Sequence, residues 1–192
     1  IEKISMCNAE TTLVCLEKIK FQKKCENSGV KIAPKAVKAP CVFKPQYGRG
    51  SQGVVLIKDD DQFKYYKNKN GIIQELLKGD EYTIDAVFDN QKLLGYSSRR
   101  RIETRGVSTV GEIVKNNPII GNIVSTLGQI IKLDSVVNIQ GFLYKDQFTI
   151  IEINPRIAGS AIFSIHGGFD PYLYIILKSQ GKSNEWKYNF FI

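Results

Sequence analysis

The stretch Ile150-Ile151-Glu152-Ile153-Asn154-Pro155-Arg156-Ile157-Ala158-Gly159-Ser160 sets polar side chains at every second position of an apolar run. Such a run reads as a buried strand, on which successive side chains point to opposite faces. Glu152 and Asn154 therefore share a face, and Arg156 joins them if the strand persists past Pro155. Their Cα atoms would lie about 6–7 Å apart per step. Burying a carboxylate, an amide and a guanidinium together without partners would be costly. Oxygen ligands beside a cation suggest a magnesium ion carrying phosphate as the compensation. A strand that simply leaves the core at a proline is the plainer alternative.

A second apolar run, Val136 to Tyr144 (VVNIQGFLY), carries Gln140. If Lys145-Asp146-Gln147 form the loop, Tyr144 pairs with Phe148 and Gln140 stands opposite Glu152. Opposed Cβ atoms in such a pair are about 5 Å apart. A two-residue loop would slip the register by one and turn Gln140 to the wrong face. The sequence therefore predicts the odd-length loop or an equivalent bulge.

Upstream, Cys41-Val42-Phe43-Lys44-Pro45 reads as a short strand. Gln46-Tyr47-Gly48-Arg49-Gly50-Ser51-Gln52-Gly53 follows as a loop, and Val54 to Ile57 as a second strand. Glycines let backbone N–H groups approach an anion closely, and Lys44 could add a point charge for a phosphate. The loop is not a Walker loop, which needs Gly-Lys-Ser/Thr opening a helix. Nor is it a Rossmann fingerprint, which also needs a helix next. A flexible hairpin loop is the other reading.

Taken together, these segments resemble the ATP-grasp superfamily. They are most similar to the nucleotide-binding half of the carbamoyl-phosphate synthetase large chain and related carboxylate–amine ligases. The resemblance runs from about Leu16 to about Leu177. It rests on Phe43-Lys44-Pro45 with GRGSQGV, on Gln74-Glu75 through Gly79-Asp80-Glu81-Tyr82-Thr83, on VNIQG and on EINPRIAGS. It implies an α+β, two-lobed fold that holds a nucleotide between two antiparallel-sheet subdomains. The implied division is a leading segment and helix (1–30), a small lid-like subdomain with the glycine loop (31–75) and a larger subdomain with the metal site (76–192).

The resemblance also implies roles. Lys44 would contact the ATP phosphates, and Gly48, Gly50, Ser51 and Gly53 would form a mobile loop over them. Glu75 to Leu77 would be the hinge, with backbone groups on adenine and Leu77 against its ring. Glu81 would hold the ribose hydroxyls. Gln140, Glu152 and Asn154 would ligate Mg²⁺, with Mn²⁺ as a substitute. Arg156 would steady the transferring γ-phosphoryl group, which makes it, with Lys44, the catalytic pair. Lys18 matches a basic position that reaches the nucleotide. The implied reaction is an ATP-dependent carboxylate–amine ligation: a carboxylate becomes an acyl phosphate, and an amine or other nucleophile attacks it. Charge neutralisation and positioning suit phosphoryl transfer, and a closing loop would exclude water meanwhile.

The 192 residues are enough for a sizeable core, and 43% are hydrophobic, which fits a globular chain. No apolar stretch approaches a membrane span. The opening Ile1-Glu2-Lys3-Ile4 lacks a signal pattern. Cys7, Cys15, Cys25 and Cys41 form no CxxC pair, and with His166 the sole histidine a zinc site is disfavoured. Free thiols in a reducing cytoplasm are the expectation. His166, before Gly167-Gly168, reads as a helix-end or loop residue rather than a base.

A formal charge of +8 and the cluster Arg99-Arg100-Arg101 with Arg105 raise nucleic acid as a partner. No stacking series of aromatics accompanies the cluster, as single-strand binding would require. An exposed edge strand or loop, or the flank of a pocket for anionic ligands, reads better.

Thr11 to Asn27 reads as one amphipathic helix with Leu13, Leu16 and Ile19 on one side. A helix is expected after Asp59-Asp60-Asp61, a strand at Gly71 to Gln74, strands near Tyr82–Phe88 and Lys92–Arg101, and helices at Pro118 to Ile131 and near Asp170–Leu177. The apolar tail with Trp186, Tyr188, Phe190 and Phe191 is expected to dock on a partner subunit or a missing domain.

The superfamily usually begins with a Rossmann-like domain for which there is no room before Ile1, and Pro34 to Pro40 is shorter than usual. Two rival functions follow: a regulatory nucleotide-binding module without an acceptor site, and a basic nucleic-acid-binding protein.

Overall fold

Alternation of apolar and polar residues builds two antiparallel sheets in the computed structural model, which describes residues 6–48, 51–105, 107–114 and 117–189. Arg49, Gly50, Phe190 and Phe191 lie outside the described residues, as does the side chain of Arg105.

In the smaller sheet, β1 (Cys41–Pro45) lies between β2 (Val55–Ile57) and β3 (Gly71–Glu75). Cys41 and Phe43 are buried with Ile57 against Phe63 and Tyr66 of α3 (Asp60–Lys67). The period of two then turns Val42 and Lys44 to the other face. Asp59 caps α3 by accepting the Gln62 N–H at 2.8 Å, and Asp60 and Asp61 suit the positive end of the helix.

The larger sheet joins β4 (Asp80–Asp89), β5 (Lys92–Arg105), β6 (Val107–Val114), β7 (Ser135–Tyr144) and β8 (Gln147–Asn154) in the order β6-β5-β4-β7-β8. One face is apolar. Tyr82, Ile84, Ala86, Phe88, Val137, Ile139 and Ile153 pack against Ile120, Val124, Leu127 and Ile131 of α4 (Pro118–Ile131). The opposite face is polar. One row across it reads Arg99, Thr83, Gln140, Glu152; the next reads Ser97, Asp85, Asn138, Asn154. β5 is an interior strand, so Arg99 to Arg101 do not sit on an exposed edge as one reading of the sequence had it.

The register of β7 and β8 is the one the shared face requires, reached by the bulge. The turn has two residues, Lys145 and Asp146, both left-handed (φ 46° and 59°), so Tyr144 pairs with Gln147. An irregularity between Gln140 and Gly141 restores the lost residue and sets Gln140 opposite Glu152.

The expected single helix over Thr11 to Asn27 is instead two, α1 (Ala9–Leu16) and α2 (Lys18–Cys25), broken at an extended Glu17. Leu13 and Leu16 are half exposed, while Cys15, Phe21 and Cys25 enter the core of the larger sheet. Tertiary contacts override helix propensity here. The Thr11 hydroxyl donates to the Ile131 and Lys132 carbonyls at 3.4 and 3.3 Å, anchoring α1. The Gln46 side chain accepts the Ile19 N–H at 3.4 Å in the first turn of α2. The four cysteines are buried free thiols, and burial pushes Cys25 up to about 12.

Residues 31–36 bridge the two sheets. The Ala33 N–H donates to Ile150 of β8 at 3.0 Å, and the Ala36 N–H to Ile73 of β3 at 3.1 Å. Over its described part the tail docks on this chain itself. Trp186 and Tyr188 pack on Phe169 and on the cluster with Tyr174 of α6 (Pro171–Ser179), whose Pro171 follows the capping Asp170. His166 ends α5 (Ile162–His166). Among the described residues, no helix is long and apolar enough to cross a membrane.

Gly79 enters β4 at φ 99°, and a Cβ there would overlap the Leu143 carbonyl oxygen. Gly79→Ala is therefore expected to destabilise the fold by about 2 kcal/mol, from the left-handed backbone and overpacking together. Urea unfolding measures it; an unchanged midpoint would show that the strand entry relaxes freely.

Candidate functional site

The two sheets face each other across a cleft of about 260 Å³. The strand period decides what enters it. From β1 come Val42 and Lys44; from β7 and β8 come Gln140, Phe142 and Glu152; from β4 and β5 come Glu81 and Arg101. Lys18 reaches the same cleft because the break at Glu17 starts a new helix there. Gly48, Ser51, Glu75 and Leu77 complete the expected residues on its wall.

The cleft is lined by apolar side chains of Val42, Val54, Leu77, Phe142 and Ile151, which suit a flat, apolar-faced group, and by the charged groups of Lys18, Lys44, Glu81, Arg101 and Glu152. Burial pushes the Lys44 ammonium below the usual lysine range, Glu152 pulls it back up, Lys18 pushes it down again and Glu81 raises it.

Glu152 and Gln140 stand directly opposite on neighbouring strands. Asn154 donates its amide N–H to Glu152 Oε1 at 3.1 Å. It is itself buried and off the cleft wall, so here it orients the carboxylate. One carboxylate and one carboxamide, Glu152 and Gln140, supply oxygen donors of the kind a hard divalent cation takes. They fit a cation that gains its remaining ligands from phosphate and water. Among the described residues, no three His, Cys, Asp or Glu side chains gather into a metal cluster, so a site complete without phosphate is not offered.

Two further expected residues, Gly53 and Arg156, lie off the cleft wall. Gly53 has φ 72°, and a Cβ there would meet the Pro45 ring. Gly50 is outside the described residues. Arg156 is exposed beyond the end of β8, and its guanidinium donates to the Ile157 carbonyl at 3.1 Å. The strand does not persist past Pro155, so Arg156 does not share the face of Glu152.

Two arginines carry more than the sequence suggested. Arg101 enters the cleft and pairs with Glu81 at 2.6 Å. Arg99 is fully buried beneath it. Its guanidinium pairs with Asp85 and donates to the Ser164 and Ser160 hydroxyls at 2.9 Å each. Asn138 donates to the other Asp85 oxygen at 3.2 Å. This network ties the turn after β8 and α5 to the middle of the sheet. The signal was present in the alternation Glu81-Thr83-Asp85 and Ser97-Arg99-Arg101.

Comparison with known proteins agrees with this fold. The profile of the ATP-grasp domain family matches residues 15–160. A carbamoyl phosphate synthase large chain of Clostridium beijerinckii is 27% identical over 140 residues, which cover 64% of this chain but 13% of that protein. The chain thus spans about an eighth of the length of such relatives. The Campylobacter jejuni biotin carboxylase, solved as a β-γ-ATP complex, superposes with a TM-score of 0.78 at 13% identity, over 98% of this chain and 52% of that one. The Bacillus anthracis D-alanine–D-alanine ligase, complexed with ATP, gives 0.68 at 15% identity, over 95% and 72%.

Proposed function

The chain belongs to the ATP-grasp family, and from that membership we propose that it binds MgATP between its sheets and activates a carboxylate for ligation. The observation that carries this reading is the pairing of Gln140 with Glu152 on the strand face, within the field of the Lys44 ammonium. Adenine lies between the Leu77 and Phe142 side of the cleft and Val42 of the small sheet. Lys44 and Lys18 neutralise phosphate oxygens, and Ser51 belongs to the loop that covers them. Gln140 and Glu152 would hold the cation, Mg²⁺ or Mn²⁺, with Asn154 steadying Glu152. A bound cation would supply charge neutralisation to the phosphoryl oxygens.

In the proposed reaction, a carboxylate oxygen of the acceptor attacks the γ-phosphorus and the bond to the β,γ-bridging oxygen breaks. ADP leaves and an acyl phosphate remains. An amine, or another nucleophile, then attacks the acyl carbon, loses a proton and displaces inorganic phosphate. Lys44 stabilises the charge that moves onto the departing phosphate, and the closed loop keeps water from the acyl phosphate. The chain's place in a longer enzyme, next to a further domain or partner subunit that shapes the acceptor site, is part of the same proposal.

Calorimetric titration with ATP, with and without Mg²⁺, tests the reading. Mg-dependent binding supports it, and equal binding without the metal removes the cation from the site. Lys44→Ala is expected to weaken ATP binding roughly tenfold or more, the loss of a charge-assisted hydrogen bond.

The depressed pKa of Lys44 adds a pH dependence with a definite sign. Bound phosphate favours the ammonium, so the complex holds that proton to higher pH than the free cleft does. Affinity is flat below the free-state pKa and falls as pH rises through it, by up to about tenfold per unit. Because burial lowers that pKa from 10.5, the fall begins earlier than for an exposed lysine. Binding in buffers of different ionisation enthalpy should show proton uptake there, and Lys44→Arg should abolish it.

A further inference from the structure

A small chamber adjoins the cleft and shares Lys18, Gln74 and Glu152 with its wall. Its volume is about 10 Å³, close to what a single water molecule needs. Three elements meet there: α2 brings Lys18 and Gln22, β3 of the small sheet brings Gln74, and β8 brings Glu152. The other lining side chains are apolar, Phe21 and Ile72 among them. Gln22 and Gln74 are only 5% and 4% exposed. The side-chain oxygen of each is buried and has no hydrogen-bond partner among the described residues. The Gln74 amide nitrogen donates to the Ala33 carbonyl at 3.2 Å, so the oxygen is the end left over. Buried acceptors are ordinarily paired. Two of them on one water-sized chamber call for a small species that donates twice.

Resting on the nucleotide reading above, we infer that Gln22 and Gln74 bind one water molecule in this chamber, and that the water positions the Lys18 ammonium for the phosphates. The two O–H groups of the water go to the two carboxamide oxygens, and its own oxygen accepts an N–H of Lys18. Lys18 and Gln22 stand four residues apart on α2, and so on one side of the helix. Lys18 lines chamber and cleft alike, so a contact in the first fixes its head at the edge of the second. Water fits better than a cation, because Lys18 already brings positive charge to the chamber and a second cation would be repelled. The hold matters because two ammonium groups share the cleft: beyond the effect of burial, Lys18 pushes Lys44 down. A lysine has a flexible four-carbon stem, and without a ligand Lys18 would swing away from that like charge into solvent. Gln22 lines the chamber and not the cleft. It is a positioning residue, acting on the nucleotide only through the water and Lys18.

The experiment measures ATP binding by calorimetry, with Mg²⁺ present, on the parent chain, Gln22→Met, Lys18→Met and the double variant. Gln22→Met keeps the length of the side chain and removes the acceptor. It should weaken ATP binding roughly fivefold, the scale of one hydrogen bond. Lys18→Met should weaken it roughly tenfold or more. The double variant should match Lys18→Met within about twofold, because residues that act through one another are not additive. A high-resolution crystal structure of the parent should show a water within hydrogen-bond distance of both carboxamide oxygens and of the Lys18 ammonium. An unchanged affinity in Gln22→Met, or full additivity in the double variant, overturns the positioning role while leaving the nucleotide cleft intact. A chamber filled by the Lys18 ammonium itself overturns the water. So does one filled by potassium, which would show as a loss of ATP affinity when choline replaces potassium in the buffer. A parent chain that binds no ATP overturns the nucleotide reading and the role given to Lys18 with it, and the crystal structure then judges the water by itself.

Discussion

Replacing Glu152 by glutamine is expected to lower Mg-dependent ATP turnover by roughly a hundredfold or more, of the order lost when one electrostatic stabiliser is removed from a transition state. The substitution keeps shape and hydrogen-bonding capacity, and Asn154 can still donate to the remaining amide oxygen across the 3.1 Å contact. What it removes is the single carboxylate of the proposed cation set. Gln140 and the Asn154 amide cannot supply that charge. The effect should therefore appear in turnover and in the Mg²⁺ concentration needed, with the thermal midpoint nearly unmoved. Turnover at the parent's level, measured by ADP release, would place the cation elsewhere and would take the reading of the strand face with it.

The second large effect concerns folding. Arg99→Met should destabilise the chain by about 3–5 kcal/mol, because it leaves Asp85 as a fully buried charge with its counter-ion gone. For a chain of this size that is roughly 10–15 °C in thermal midpoint. The joint change Arg99→Met with Asp85→Leu should recover a good part of the loss, since no buried charge remains. The recovery stays incomplete, because the Ser160, Ser164 and Asn138 polar groups that the pair now satisfies would then need other partners. Scanning calorimetry of the three proteins settles the matter; a single variant as stable as its parent would show the ion pair to be dispensable.

The same network shows where sequence reading reaches its limit. The alternation around Glu152 was enough to predict a strand, its polar face and the pairing with Gln140, because period and burial are local properties. The way that register is achieved was less legible. A two-residue turn with left-handed Lys145 and Asp146, offset by a bulge at Gln140 and Gly141, has the same outcome as a three-residue loop. Arg99 was read with its neighbours as an exposed edge or the flank of a pocket, and not as a buried ion pair, because its partners are far along the chain: Asp85 one strand away, Ser160 and Ser164 more than sixty residues on. Only the alternation with Ser97 and Arg101 distinguishes it from Arg100, which meets Glu112 near solvent.

The break at Glu17 was hidden for a similar reason. Glutamate and lysine are good helix formers, and only the packing of Cys15 and Phe21 on a distant sheet makes a bend preferable to a continuous helix. Arg156 was placed with Glu152 on the condition that the strand continue. It ends one residue before Pro155, which lacks the N–H needed to extend a ladder.

The two-sidedness of the larger sheet also bears on how such a chain can change over time. Tyr82, Ile84, Ile139 and Ile153 hold the helices, while Glu81, Arg101, Gln140 and Glu152 meet the cleft. These two sets interleave along the same strands yet share almost no neighbours. A lineage can exchange residues of the second set, trying other ligands, without loosening the first. Asp85 and Arg99 are where that freedom stops, for they belong to the ligand-facing side and to the interior at once.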